Sequence, residues 1–224
     1  MFDNSIKNVV VAGASGLVGS RLMELLCENV TVKKITVLTR RPLELDHPKV
    51  EVCITDFNRL QSVQSRVAGA DVLYCCVGTT IKKAGSREAF RQVDYQVPYN
   101  LASLAAKSGI TKLIVISSIG ANPTSKNFYL RVKGEMERDI ISDFRFQKLA
   151  FLRPSLLLGV RQEFRFGERL MQFLMALLSF AFVGRLARFR PVTDETVAKS
   201  MISISNSVNN QKIYESVELS WLGK

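Results

Sequence analysis

The chain has few of the residues that support histidine or cysteine chemistry. Its 224 residues include one histidine, His47, and four cysteines. Because a histidine-rich metal site needs several imidazoles, such a site is excluded, and we expect neither a metal nor histidine-based catalysis. The cysteines form no C-x-x-C pair and have no zinc-ligand spacing. Most of them fall in apolar stretches, so we expect buried free thiols in a reducing compartment and predict a cytoplasmic protein.

The sequence shows neither the pattern of a signal peptide nor an apolar run of transmembrane length. The first residues, MFDNSIKNVVVAGASG, begin polar and lead directly into a strand and a glycine loop, so we expect no signal peptide. The most apolar run, LMQFLMALLSFAFVG at 170–184, has 15 residues between Arg169 and Arg185. A helix of that length spans about 22 Å, short of the roughly 30 Å of a bilayer core, so we predict no transmembrane segment. A buried core helix is favoured, and a partner-binding or peripheral membrane-surface helix is the alternative.

Positive charge is in excess. The 31 basic and 20 acidic residues give a net charge of +11, which favours anionic partners such as nucleotides, phosphates, nucleic acid or acidic membrane. No basic stripe interleaved with aromatic residues and no recognition motif is present, so we do not expect nucleic acid to be the partner.

Strand-like and helix-like segments alternate along the chain. Six segments are rich in Val, Ile and Leu, and within them apolar residues do not alternate with polar ones. This pattern is typical of a parallel sheet buried on both faces. These predicted strands are KNVVVAG (7–13), KKITVLTR (33–40), KVEVCITD (49–56), ADVLYCCVG (70–78), TKLIVISS (111–118) and QKLAFLRPS (147–155). We predict an α/β fold, a doubly wound parallel, Rossmann-like sheet flanked by helices. The chain is expected to form one domain, 1–224, with a nucleotide-binding core at about 6–155. A small helix-rich region, about 156–224, would pack over the carboxyl ends of the strands.

A glycine pattern follows the first strand. Gly13, Gly16 and Gly19 stand in a G-x-x-G-x-x-G arrangement between that strand and the first helix. The first glycine permits a tight turn, the second lets the backbone approach a pyrophosphate, and the third allows close helix–strand packing. The helix N-terminus then attracts the anion. The pattern predicts a dinucleotide site.

The end of the second strand indicates which dinucleotide is bound. An Asp or Glu in this region accepts the ribose 2′-hydroxyl in NAD-selective proteins. Here the chain has TRRP, with Arg40 and Arg41 and no acid. Because guanidinium groups suit a 2′-phosphate, we predict NADP(H) in preference to NAD(H).

Two further strand ends supply candidate cofactor contacts. Asp56 and Phe57 end the third strand, where the carboxylate can accept from an adenine amino group and the ring can pack nearby. Val77 and Gly78 end the fourth strand and would let the backbone run beside the ribose and pyrophosphate. Both assignments rest on position, because open α/β sheets bind ligands at the carboxyl ends of their strands.

The fifth strand and the helix after it carry candidate catalytic residues. Ser117 and Ser118 end the strand, and Tyr129 and Lys133 follow as Y-x-x-x-K, which places phenol and ammonium on one helix face. A phenol with a pKa of about 10 is a poor base near neutrality, and a nearby ammonium lowers that pKa. Tyr129 would act as acid/base, Lys133 would tune it and hold the ribose, and a serine hydroxyl would bind the reacting oxygen. We favour Ser118, which is nearer the end of the strand, over Ser117.

These motifs together resemble the short-chain dehydrogenase/reductase superfamily. The stretches LTRRP, CCVGTTIKKAGSREAFRQVD, ISSIGANPTSKNFYLRVKGEME and FLRPSLLLGVRQEFRFGE are similar to the Tat-interactive-protein type of atypical member, and the similarity runs from about residue 7 to 200. The resemblance implies an NADPH-binding Rossmann-like domain with a small C-terminal substrate or partner region. It places cofactor contacts on Ser15, Gly16, Leu17, Val18, Arg40, Arg41, Val77, Gly78, Tyr129, Lys133, Leu157 and Arg165.

The predicted function is hydride transfer between NADPH and a small carbonyl or alcohol substrate. One alternative is a non-enzymatic NADP(H)-binding regulator or interaction module, and another is a nucleotide-sugar epimerase or dehydratase, which shares the fold. Apolar residues in the C-terminal region suit a hydrophobic or flat substrate or core packing equally; they are Phe164, Phe166, Leu170 and Phe173. A protein partner would bind through that region, and the chain is expected to be a monomer or a homodimer.

Overall fold

A computed structural model describes residues 6–155, 157–158 and 191–223 of the chain. The strands are β1 (Asn8–Ala12), β2 (Lys34–Thr39), β3 (Val50–Ile54), β4 (Val72–Cys75), β5 (Lys112–Ile116), β6 (Lys148–Arg153), β7 (Leu157–Leu158), β8 (Val192–Thr193) and β9 (Ile213–Glu215). The helices are α1 (Leu17–Glu28), α2 (Gln64–Val67), α3 (Ile81–Ala84), α4 (Arg87–Arg91), α5 (Val97–Lys107), α6 (Phe128–Asp143), α7 (Asp194–Asn206) and α8 (Ser216–Leu222). A 3₁₀ turn, Leu60–Val63, precedes α2, and a π-helical turn, Gln92–Gln96, joins α4 to α5.

The main sheet has seven parallel strands in the order β3-β2-β1-β4-β5-β6-β9. The predicted α/β fold with a doubly wound parallel sheet is confirmed, and all six predicted strands are present. The seventh strand, β9, was not predicted, because three residues are too few to show a period. A separate two-stranded sheet pairs β7 with β8.

The strands are uniformly apolar because both faces of the sheet are covered. Along β1, Val9 and Val11 belong to one buried cluster, and Val10 and Ala12 belong to the cluster on the other face. Successive side chains of a strand point to opposite faces, so each residue enters one of the two cores. Parallel sheets are typically buried in this way.

Helices cover both faces in the described part of the chain. Helix α7, near the C-terminus, packs against α1 and contributes Met201 and Ile204 to the first of the two cores. The Tyr74 hydroxyl on β4 lies 2.7 Å from the Ser205 hydroxyl on α7, which ties this helix to the sheet. The described C-terminal residues therefore complete the layer that covers β1 and β4.

The helical region over residues 86–109 is interrupted. It runs through α4, the π-helical turn and α5, and ends at Gly109, whose φ of +72° breaks the helix. The π-helical turn contains Asp94, which is buried. Pattern reasoning missed the turn, because a π-helical turn keeps the same apolar composition as the helix around it.

Several predictions concern residues that lie outside the described part of the chain. They are the apolar run at 170–184, Arg165, and the apolar residues proposed to line a substrate pocket. Within the part of the chain that is described, no helix is both long and apolar enough to cross a bilayer.

Candidate dinucleotide and proton-transfer site

The predicted site residues follow strands whose carboxyl ends lie side by side. In the register of the sheet, Ala12 of β1 lies beside Leu38 of β2 and Cys75 of β4. Chain order reverses here, because β1 is followed by β2 on one side and flanked by β4 on the other. A crevice at such a reversal is where open α/β sheets bind ligands.

The glycine loop is closely packed against the end of β4. Gly13 has a φ of +87°, and a β-carbon there would lie 2.6 Å from the carbonyl carbon of Cys76. A β-carbon on Gly19 would lie only 2.0 Å from the Gly13 oxygen. Real β-carbon contacts never come so close, so neither position accepts a side chain without a shift of the backbone. The tight turn and the close helix packing predicted for these two glycines are both present.

The N-terminus of α1 is open to an anion. Gly16 precedes the helix, offers no side-chain cap, and no acidic residue occupies the first turn. Ser15 and Gly16 are exposed, whereas the Val18 side chain is buried in the core, so Val18 offers only its backbone N–H. The first N–H groups of a helix have no partner within it and carry partial positive charge. This cradle fits a pyrophosphate.

Arg40 and Arg41 lie just beyond the end of β2, at the same edge as the glycine loop. Both are exposed, and neither forms an ion pair with any described residue. The Thr39 hydroxyl donates to the Arg41 carbonyl at 2.9 Å, which shapes the turn that carries them. Two unpaired guanidinium groups at this edge are suited to an anionic group on the adenosine ribose.

The residues at the end of β3 differ in exposure. Asp56 is exposed, and its Oδ1 accepts from the Asn58 N–H at 2.9 Å. The Phe57 side chain is 6% exposed and packs in the second core, while its carbonyl accepts from the Asn100 amide at 2.9 Å. Asp56 is therefore available to a ligand, and Phe57 shapes the wall behind it.

A buried ion pair lies behind the end of β4. Lys133 Nζ is 2.8 Å from Asp94 Oδ1, and the two side chains are 3% and 1% exposed. The other carboxylate oxygen of Asp94 accepts from the Thr79 N–H at 2.9 Å. A β-carbon on Gly78 would lie 3.4 Å from Asp94 Oδ1 and 3.8 Å from Lys133 Nζ. The structure therefore brings Gly78 and Lys133 together, and it adds Asp94.

The charge of Lys133 depends on these neighbours. Burial disfavours the ammonium form, but the charge of the Asp94 carboxylate favours it, and the pKa of Lys133 is raised above its usual value. Lys133 thus remains an ammonium group throughout the physiological pH range.

Tyr129 lies in the first turn of α6, one turn before Lys133. Its ring packs against the buried Phe90, with ring centroids 5.3 Å apart. Asn127 caps the start of this helix, and its side chain accepts from the Leu130 N–H at 3.3 Å. Tyr129 is half-buried, so its ring is held while part of it stays accessible.

The two serines beyond β5 occupy different surroundings. Ser117 is 5% exposed, its N–H donates to the Leu152 carbonyl at 2.7 Å, and its hydroxyl has no partner among the described residues. Ser118 is half-buried, and its hydroxyl donates weakly to the Ile119 carbonyl at 3.4 Å. Of these two serines, Ser118 is the more exposed residue, and its hydroxyl forms a weak internal bond.

The loop after the serines is packed tightly onto α6. The Asn122 N–H donates to the Leu130 carbonyl at 3.0 Å, and a β-carbon on Gly134 would lie 2.2 Å from the Asn122 carbonyl carbon. Gly134 therefore lets the serine loop approach the helix that carries Tyr129 and Lys133.

Sequence reasoning missed Asp94 and Gly134. A glycine inside a predicted helix costs stability relative to alanine, and that signal alone indicates a close approach at Gly134. Asp94 gave no such signal, because an acid in a helix is usually on a solvated face. Leu157, assigned by resemblance, is half-buried on β7 and packs against the first core.

Comparisons with known proteins agree with this geometry. The profile of a family described as NAD(P)H-binding matches residues 13–156. Protein HTATIP2 of Rattus norvegicus is 33% identical over 229 residues, covering 100% of this chain and 92% of the rat protein. The mitochondrial protein FMP52 of Candida albicans is 36% identical over 157 residues, 68% of each chain. The fold is shared with UDP-N-acetylglucosamine 4-epimerase from Methanobrevibacter ruminantium, at a TM-score of 0.69 and 16% identity, over 93% of this chain and 76% of the epimerase.

One prediction is wrong on these findings. A cytoplasmic location was expected from the free thiols, whereas several relatives, from different yeasts, are named as mitochondrial proteins. Free thiols did not discriminate between these locations, because they indicate reducing conditions rather than a particular compartment.

Proposed function

This chain belongs to the NAD(P)H-binding family, and from that premise we propose that it is an NADP(H)-dependent oxidoreductase that interconverts a carbonyl and an alcohol. The observation that carries the proposal is the placement of Tyr129 and Lys133. Lys133 is buried against Gly78 at the end of β4, and Tyr129 lies half-buried one helical turn away. The proposed acid/base group, Tyr129, and the Lys133 ammonium thus lie at the same edge of the sheet as the glycine loop proposed to bind the dinucleotide.

The residues proposed to hold the cofactor follow the strand ends. The N-terminus of α1, with Ser15, Gly16, Leu17 and Val18, would bind the pyrophosphate through backbone N–H groups. Arg40 and Arg41 would bind the 2′-phosphate, while Asp56 would accept from the adenine amino group. The Val77–Gly78 backbone and Lys133 would border the nicotinamide ribose. When bound, the cofactor supplies or accepts the hydride.

Proton transfer is assigned to the residues of α6 and the serine loop. In the direction of reduction, the Tyr129 phenol donates its proton to the substrate oxygen as negative charge develops there. The Ser118 hydroxyl donates a hydrogen bond to the same oxygen and stabilises that charge. In the direction of oxidation, Tyr129 accepts the proton of the substrate hydroxyl, while the Lys133 ammonium holds the nicotinamide ribose.

The preference for NADP(H) rests on the end of β2. Arg40 and Arg41 are exposed and unpaired among the described residues, and no acid stands with them to accept a ribose 2′-hydroxyl. Charge-assisted hydrogen bonds from guanidinium to phosphate are stronger than neutral ones, so the 2′-phosphate is the better ligand for this turn.

The test is NADPH oxidation on a panel of carbonyl compounds, with Tyr129→Phe compared with Tyr99→Phe. The Tyr99 hydroxyl lies on α5 and donates to Asp143 at 2.7 Å, so this control removes a phenol oxygen elsewhere. We expect Tyr129→Phe to abolish turnover while NADPH affinity is retained, and Tyr99→Phe to remain active. Equal activity in wild type and Tyr129→Phe would contradict the acid/base role. Tight NADPH binding without turnover of any compound would instead favour a non-enzymatic NADP(H)-binding regulator.

We also infer a mitochondrial location from the printed names of the yeast relatives. Fractionation of cells that express the full chain tests this inference. Recovery of the protein solely in the cytosolic fraction would contradict it.

A further inference from the structure

We propose that Asp94 is a positioning residue that keeps the Lys133 side chain in place and charged for the reaction proposed above. The inference rests on the proposed function, since the purpose of a charged Lys133 is to bind the nicotinamide ribose and to assist Tyr129. It adds a residue that neither the sequence motifs nor the family comparison assigns.

The geometry of the pair leaves Lys133 dependent on Asp94. The ammonium lies 2.8 Å from Asp94 Oδ1, and both side chains are almost completely buried. Transfer of an ammonium group from water to a protein interior disfavours its charged form strongly unless a partner compensates. Asp94 is the carboxylate that forms an ion pair with Lys133 in the described part of the chain.

Asp94 has a polar neighbour on each of two sides. Its second oxygen accepts from the Thr79 N–H at 2.9 Å, so the carboxylate bridges the loop after β4 and the helix α6. It lies within the π-helical turn Gln92–Gln96, which packs against both α5 and α6. π-helical turns are frequent at functional sites, and this one brings a carboxylate to the catalytic lysine.

Among the described residues, the groups that face Lys133 come from three elements. Asp94 faces it from the π-helical turn, Tyr129 from its own helix, and Cys75 from β4. Burial raises the pKa of the Cys75 thiol to about 11, so Cys75 is uncharged near neutrality. Among the residues that the structure describes, Asp94 is therefore the group that supplies negative charge to Lys133.

Removing the carboxylate charge should make the charge of Lys133 depend on pH. Buried lysines without a partner have pKa values several units below the usual one. In Asp94→Asn the amide oxygen still accepts from the Thr79 N–H, so the loop contact survives while the charge is lost. Lys133 would then be an ammonium at low pH and a neutral amine at higher pH.

The experiment measures NADPH affinity by fluorescence titration between about pH 6.5 and 9.5 for wild type, Asp94→Asn and Lys133→Met. The NADPH affinity of each variant is divided by the affinity of the wild type at the same pH. This ratio removes any effect of pH on the charge of the cofactor itself. We expect Asp94→Asn to bind within about threefold of wild type at the lowest pH and about tenfold more weakly at the highest, where it should match Lys133→Met. The Lys133→Met ratio should stay flat.

A purely structural role for Asp94 predicts a different result. A loosened π-helical turn would weaken binding by the same factor at every pH, and that outcome would overturn the proposal. The proposal would also be overturned if Asp94→Asn bound NADPH as tightly as wild type over the whole pH range.

The double variant Asp94→Asn/Lys133→Met keeps the test decisive if Asp94→Asn does not fold. An uncompensated buried ammonium is the expected cause of such a failure, so removing both charges should restore folding and give the NADPH affinity of Lys133→Met. A double variant that also fails to fold, or that binds more weakly than Lys133→Met, would show that Asp94 acts independently of Lys133. Because the readout is binding, the inference can stand even if no carbonyl is turned over.

Discussion

Gly13 and Cys76 lie so close together that a β-carbon on Gly13 would be 2.6 Å from the Cys76 carbonyl carbon. This contact joins the glycine loop to the end of β4, so the two halves of the proposed dinucleotide cradle share one packed backbone surface. A side chain at Gly13 would have to displace one half from the other.

Substitution of Gly13 therefore tests whether the contact, rather than the backbone angle alone, is essential. Gly69 is the matched control: its φ of +77° is close to the +87° of Gly13, but nothing lies within 4 Å of its β-carbon position. We expect Gly69→Ala to cost about 1–2 kcal/mol of unfolding free energy from left-handed strain alone. Gly13→Ala should cost about 2–5 kcal/mol and weaken NADPH binding at least about tenfold, because a steric clash is added. Urea unfolding and fluorescence titration measure both quantities, and equal effects of the two variants would contradict the prediction.

Replacing Arg40 and Arg41 together by Ala should change cofactor preference. If each guanidinium forms a charge-assisted bond to the 2′-phosphate, NADPH affinity should fall by about 10- to 100-fold. NADH affinity should change by less than about twofold, because NADH lacks that phosphate. Isothermal titration with both cofactors makes the comparison, and Arg145→Ala, at an exposed arginine beyond α6, serves as a charge control. A parallel loss of NADPH and NADH affinity would argue against 2′-phosphate recognition.

The two serines beyond β5 should differ in their effect on turnover. With a carbonyl compound that the wild type reduces, Ser118→Ala should lower kcat by about 100-fold, because a hydrogen-bond donor to the reacting oxygen is lost. Ser117→Ala should stay within about threefold of wild type, since that hydroxyl is buried at 5% exposure. Steady-state kinetics on both variants distinguish them, and the reverse order of effects would assign the role to Ser117.

Two carboxylates of α6 should contribute very differently to stability. Glu137 is 4% exposed and binds the Arg153 guanidinium, with Arg153 Nε 3.0 Å from Glu137 Oε1. Glu135 pairs with Arg91 at the surface, where the arginine is 45% exposed. We expect Glu137→Gln to cost about 3–5 kcal/mol, because it leaves a largely buried guanidinium without its charge partner. Glu135→Gln should cost about 0–1 kcal/mol, and chemical denaturation of both variants would show whether burial accounts for the difference.

The thiols of Cys75 and Cys76, at the end of β4, should be unreactive near neutral pH. Burial raises the pKa of Cys75 to about 11 and also raises the pKa of Cys76. Since the thiolate is the reactive form, its fraction at Cys75 near pH 8 is on the order of one in a thousand and rises with pH. Ellman's reagent should therefore label Cys75 and Cys76 of the native protein slowly at pH 8 and faster at higher pH, while the protein unfolded in guanidinium should show all four free thiols. Rapid labelling of Cys75 or Cys76 in the native state, located by mass spectrometry, would contradict this.

Local patterns in the sequence were sufficient to predict the sheet and to propose most of the residues of the candidate site. Six strands are apparent because buried parallel strands are continuously apolar, and the spacing of Gly13, Gly16 and Gly19 follows from a single strand–turn–helix unit. Tyr129 and Lys133 share a helix face because residues four apart always do. In each case the interacting residues are close along the chain, so the pattern itself carries the information.

Only the tertiary structure revealed the features that join distant segments. The strand β9 forms because β6 offers a free edge, and its three residues show no period of their own. The π-helical turn and the Asp94–Lys133 pair depend on packing between α6 and a helix far earlier in the chain. The difference between Ser117 and Ser118 depends on where β5 ends against β6. These features result from desolvation and steric fit between segments that are far apart in sequence. A local sequence pattern contains no information about either effect.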